Sequence, residues 1–259
     1  MKQTVIDLFP PEDEYAYFML VWGSRAETPQ ELAARQWATM RALDAVVPAG
    51  DPRYPAPKWV DPNEDLYSRY RPPTPDSLEE LQEQVARNAQ VHEDGTVQGR
   101  APLTAFLAPD GEHGTIVSIE GAAGHRKTAS GNDVMIRFQP DFPIGDSHDA
   151  ADLFRKLVGI WQPDWARFGT LRTSQQVEDY AKSYASYLSW VAQPSMGVPP
   201  ALQSAIAEPF GDGTLLAVKD WSIDGVRNLH EELLAAGVPG KVADNREPQV
   251  VPQFPSDLS

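Results

Sequence analysis

Leu103-Thr104-Ala105-Phe106-Leu107, Thr115-Ile116-Val117-Ser118-Ile119-Glu120 and Asp133-Val134-Met135-Ile136-Arg137-Phe138 are three short runs rich in β-branched and aromatic residues. Turns bearing glycine and aspartate separate them, as in a meander of antiparallel strands, and the sheet is expected to be centred here. Outward from this block, Tyr15 to Trp22 reads as an apolar, aromatic strand that stops at Gly23. Thr28-Pro29-Gln30-Glu31 then opens a helix, with a capping threonine, proline at the first helical position and a glutamate placed to return the capping bond. Leu32, Ala33, Trp37, Met40, Leu43 and Val47 follow at helical spacing on one stripe, and Pro48 ends it. Further helices are expected over 76–90, 149–161, 175–182 and 226–236 and a strand over 213–219, while 184–191 fits either a strand or more helix. Strands clustered between amphipathic helices, without regular alternation, define an α+β fold in which helices pack on an antiparallel or mixed sheet. One domain over residues 1–240 and an extended tail over 241–259 are expected.

Between Pro48 and Pro75 stand Pro48, Pro52, Pro55, Pro57, Pro62, Pro72, Pro73 and Pro75, a density that argues against regular structure. Tyr54, Trp59, Leu66, Tyr67 and Tyr70 are too apolar for a free linker, so this loop is expected to be pinned across the surface. Trp59 reads as an exposed aromatic beside Asp61, Glu64 and Asp65, and the loop leads into a helix whose outer face carries Asp76, Glu79, Glu80 and Glu83. An aromatic anchor next to a negative field is a candidate partner-binding surface. A simply solvated helix face is the plainer reading of the same carboxylates.

The chain has 37 acidic against 22 basic side chains, a formal net charge of −15, which repels a nucleic-acid backbone and attracts a basic partner. Direct nucleic-acid binding is therefore not expected. Cysteine is absent, which excludes disulfides, thiolate metal sites and a cysteine nucleophile. The amino terminus lacks the apolar run of a signal peptide and no segment reaches the roughly 18 apolar residues of a membrane helix, so a cytoplasmic location off the membrane is expected. His92, His113, His125, His148 and His230 show no metal-ligand spacing, and Gly145-Asp146-Ser147-His148, which superficially looks like a hydrolase block, is better explained by Asp146 or Ser147 capping the next helix. No nucleotide-binding or hydrolase motif is present. The expectation is a binding protein without catalytic residues, metal or cofactor, the alternatives being a small hydrolase without a recognisable motif or a secretion-system adaptor.

Val21-Trp22-Gly23-Ser24-Arg25, followed by a capped helix with Ala34-Arg35 in its second turn, resembles the opening of the immunity protein 52 family of bacterial polymorphic toxin systems. Trp161-Gln162-Pro163-Asp164-Trp165-Ala166 is similar to that family's central tryptophan block, Tyr184-Ala185-Ser186-Tyr187-Leu188-Ser189 to its aromatic strand with tyrosine in place of tryptophan, and Gly213-Thr214-Leu215-Leu216 to a late strand. The resemblance implies a cytoplasmic antidote, tied to type VI secretion, that binds a cognate toxin, often a DNase of restriction-endonuclease-like type, and blocks its reaction. It also implies that Trp22, Gly23, Arg25, Trp161, Pro163, Asp164 and Trp165 fix the scaffold.

Overall fold

Thr28 caps the first long helix as its sequence dictates: its hydroxyl accepts from the Glu31 N–H at 3.2 Å, and the Glu31 carboxylate accepts from the Thr28 N–H at 2.8 Å. The computed structural model describes residues 2–9, 15–60, 75–108, 115–126, 131–177, 183–193 and 201–238. In chain order the elements are α1 (Val5–Leu8), β1 (Ala16–Trp22), α2 (Pro29–Asp44), β2 (Lys58–Val60), α3 (Leu78–Asn88), β3 (Ala101–Ala108), β4 (Val117–Ala123) and β5 (Asn132–Phe138). Then come α4 (Ser147–Trp161), β6 (Trp165–Thr170), α5 (Leu171–Gln176), β7 (Leu188–Ala192), β8 (Ala205–Phe210), β9 (Gly213–Val218) and α6 (Ile223–Ala235).

All nine strands join one sheet in the order β2-β3-β4-β5-β1-β6-β7-β9-β8, with every neighbouring pair antiparallel. The chain is thus a single-domain α+β fold. The meander β3-β4-β5 forms one side of the sheet rather than its centre, because β1 inserts between β5 and β6 and becomes the middle strand. Ala16, Phe18, Leu20 and Trp22 point from β1 to the helix layer and are fully buried. Phe18 meets Phe138 at 5.2 Å, Phe154 of α4 at 5.5 Å and Phe168 of β6 at 4.4 Å between ring centroids. Each such side chain contributes about 1.5–3 kcal/mol through burial.

Several expectations need correction. The proline-rich segment contains regular structure after all: β2 runs antiparallel to β3, with Trp59 opposite Leu107. Residues 165–170 and 205–210 are strands that the sequence reading passed over. Pro209 is tolerated because β8 is the outermost strand. The ambiguous stretch 184–191 enters the sheet at Leu188, and the helix near 175 begins earlier, at Leu171, capped by Thr170. Residues 178–182 and the tail 241–259 lie outside the described residues.

At the far end of the sheet, Glu232 of α6 ties that helix to the start of β8. Its carboxylate accepts from the N–H of Gln203 at 3.0 Å, the N–H of Ser204 at 3.1 Å and the Ser204 hydroxyl at 2.8 Å. The Ser204 backbone bond is the main reason its pKa is held below the ordinary 4.5. A depressed carboxylate stabilises the fold above its unfolded-state value and loses that contribution as pH falls through its folded-state value. Glu232→Gln should therefore lower the melting temperature at pH 7 and make the acid-induced loss below pH 4.5 shallower. Thermal melts at neutral pH and at about pH 3 check this, and identical pH profiles for variant and wild type would contradict it.

Candidate functional site

The two tryptophan-bearing motifs, 136 residues or more apart in sequence, meet in the core. Trp22 at the end of β1 stacks on Trp161 at the end of α4, with ring centroids 5.3 Å apart and planes at 29°. The Trp161 indole donates to the Thr39 hydroxyl of α2 at 2.9 Å. Gln162 closes α4 in the left-handed region, at φ 46°, and Pro163 prevents further helix. Asp164 then accepts from the Gly23 N–H at 2.7 Å, while its own N–H donates to the Val21 carbonyl at 2.8 Å. Trp165 begins β6 opposite Val21 and is only half-buried.

Beneath this junction lies a buried ionic cluster. Helix α4 has no basic residue in its last turn, so its terminal carbonyls need donors from elsewhere. Arg25 supplies them to Trp161, at 3.0 Å, and to Gln162, and Arg35 of α2 to Ile160. Glu27 sits between the two guanidinium groups, 3.4 Å from Arg35 Nε, and accepts from the Trp22 indole at 3.3 Å. Burial pushes the Glu27 carboxyl up and the Arg35 guanidinium down, each partly offset by the opposite charge. Arg25 is pushed down to about 10, again chiefly by burial. Arg35 was legible within the family-like pattern, whereas Glu27 was passed over. A charged residue on a helix's apolar side is the available signal: Leu32, Arg35, Gln36, Thr39 and Leu43 share the buried face of α2.

The proposed partner surface is rearranged by the structure. Trp59, read from sequence as exposed, is 8% exposed, and its indole donates to Asp44 of α2 at 2.8 Å. Pairing with β3 and that bond turn the ring inward, so it is not a protruding anchor. Tyr54 is also buried, and its hydroxyl donates to the Asp141 carbonyl, which pins the described part of the loop as expected. Together they line a cleft of about 430 Å³ with Met40, Arg41, Asp44, Lys58 and Asp76. Asp76, Glu79, Glu80 and Glu83 are all exposed, and Glu83 pairs only loosely with Arg87 at 3.7 Å. Asp61, Glu64 and Asp65 lie outside the described residues.

Among the described residues that line it, the cleft contains neither histidine nor serine. Elsewhere, His230 Nδ1 lies 2.8 Å from the Ser183 hydroxyl, which also accepts the Ala185 N–H at 3.0 Å. Asp146 caps α4 by accepting from the N–H groups of His148 and Asp149, at 2.8 and 3.0 Å, which accounts for the hydrolase-like block. Among the described residues no three histidine, cysteine, aspartate or glutamate side chains gather as metal ligands would, and no helix is long and apolar enough to cross a membrane.

No family model and no curated protein matches the sequence. The structure is similar to that of the Pseudomonas aeruginosa T6SS protein PA0821, over 88% of this chain and 77% of that one, with a TM-score of 0.50 and 11% identity. At that identity the likeness is one of fold.

Proposed function

We propose that this chain is an antidote that binds a cognate secreted toxin, a nuclease by preference, and silences it by occupying its surface, with no reaction of its own. The observation that supports this most is the pairing of a net charge of −15 with a fold shared along most of its length with a T6SS protein. A nuclease must carry a basic groove for the phosphate backbone, and a strongly acidic protein competes for that groove. The exposed carboxylates of Asp76, Glu79, Glu80 and Glu83 supply part of the attracting field, and the buried Trp22–Trp161 junction holds the scaffold rigid. The family-like motifs point the same way. The test is co-expression: cells making the toxin encoded beside this chain should survive when the chain is made with it and die when it is not. Death in both cases would sink the proposal.

The acidic helix has a separate, kinetic signature. Replacing Glu79, Glu80 and Glu83 together by lysine should slow association with a basic toxin by about tenfold at low salt, flatten its salt dependence and leave dissociation nearly unchanged. Biosensor traces at two ionic strengths measure this, and an unchanged association rate would remove α3 from the encounter.

A further inference from the structure

Three elements converge on the cleft of about 430 Å³: the end of α2, the outermost strand β2 and the entry to α3. Its floor is apolar, made by Met40 of α2, Trp59 of β2, Leu107 of β3 and the Tyr54 ring. The polar ends of both rings are occupied, Trp59 by Asp44 at 2.8 Å and Tyr54 by the Asp141 carbonyl, so neither ring needs a hydrogen bond from an occupant. The charged side chains among the described lining residues balance, Arg41 and Lys58 against Asp44 and Asp76, and Asp44 holds Arg41 at 3.3 Å. An uncharged, apolar group is what such an interior suits.

The walls are preset and the mouth is wet. Pro48, Pro57 and Pro75 stiffen the lining. Ala56, also in the lining, takes φ 42°, and the other positive-φ residue that is not glycine among the described residues, Gln162, closes α4, whereas Ala56 closes no helix. Backbone held in this region collects at binding clamps. Arg41, Ala49, Ala56, Lys58 and Asp76 are all exposed around the opening. From that opening α3 runs outward with Asp76, Glu79, Glu80 and Glu83 exposed at helical spacing, and Arg87 is the single cation over residues 75–90. The socket itself is neutral, and the surface beside it is strongly negative.

We propose that this cleft is a socket for one apolar side chain of the partner, and that the partner carries lysine or arginine beside that side chain, laid along α3. The anchor expected of Trp59 is thereby inverted: its ring is part of the floor, and the partner supplies the projecting residue. Strongly bound anchors sit in such desolvated pockets ringed by polar groups, and a preset pocket loses little freedom on binding. The volume falls within the about 300–1,000 Å³ that binding pockets span. This rests on the reading that the chain binds a toxin, and it names the chemistry that toxin must present. It also divides the labour: the carboxylates of α3 steer, and the cleft holds.

The experiment uses the full chain and the purified toxin domain from the co-expression test. Ala49→Trp, which adds an indole at the exposed rim, should keep the wild-type melting temperature while weakening affinity by about 30-fold or more, through faster dissociation and by a similar factor at low and high salt. Ala49→Leu, which fills less of the cleft, should fall between. In the wild-type complex, hydrogen exchange should slow for the amides of residues 47–58. Unchanged affinity in Ala49→Trp together with no new protection over 47–58, with wild type binding tightly, would overturn the socket and leave the antidote reading intact. A loss in Ala49→Trp that disappears at high salt would show that the cleft holds a charge, and would also overturn it. Failure of wild type to bind at all would overturn the antidote reading, and this one with it.

Discussion

Trp161→Ala should lower the unfolding free energy by about 3–5 kcal/mol, the cost of truncating a large aromatic in a packed core. The ring is fully buried and stacked on Trp22, and its indole satisfies Thr39 of α2. Its removal leaves a cavity where β1, α2 and α4 meet, and none of these can close it alone, because α4 is fixed by Arg25 and Arg35 and β1 by its pairing on both sides. Urea denaturation gives the value. Toxin binding per folded molecule should be preserved, since the ring is fully buried and offers no contact surface. A variant that kept wild-type stability and lost binding would show that this junction contacts the partner.

Glu27→Ala should cost a comparable amount, about 3–5 kcal/mol, for an electrostatic reason. Glu27 is fully buried and stands between Arg25, itself 3% exposed, and Arg35, 1% exposed. Without it, two like charges remain in a low-dielectric interior and the Trp22 indole loses its acceptor. The guanidinium groups also cap α4, so the loss should spread to that helix: hydrogen exchange should rise for the amides of its last turn before those of its first. The pair Glu27→Ala with Arg35→Met should recover part of the loss, because an apolar replacement removes one of the stranded charges. A single variant that melts like wild type would contradict the assignment of this cluster as a structural clamp.

Residues whose roles are set by neighbours in sequence were legible, and those set by distant partners were not. Thr28 and Glu31 announce the start of α2 because both halves of the capping box lie within one turn. The strands 132–138 and 213–218 were legible because they combine β-branched or apolar content with flanking turn residues. Strand β6 was missed because its outward positions, Trp165, Arg167 and Gly169, interrupt the apolar pattern carried by Ala166 and Phe168. Strand β2 was missed because three residues among prolines carry no periodicity. Trp59 was misread for the same reason: only its pairing with β3 and its bond to Asp44 decide that it is buried.

The central claim, that the chain acts by binding and not by catalysis, is tested most directly by titrating it into a fixed amount of the purified toxin and measuring the toxin's remaining activity. Stoichiometric binding predicts a straight decline that reaches zero at one chain per toxin, does not deepen with longer incubation, and reverses when the complex is dissociated. Loss of toxin activity at a small fraction of one equivalent, growing with time, would mean that the chain turns over its target, and would contradict the account.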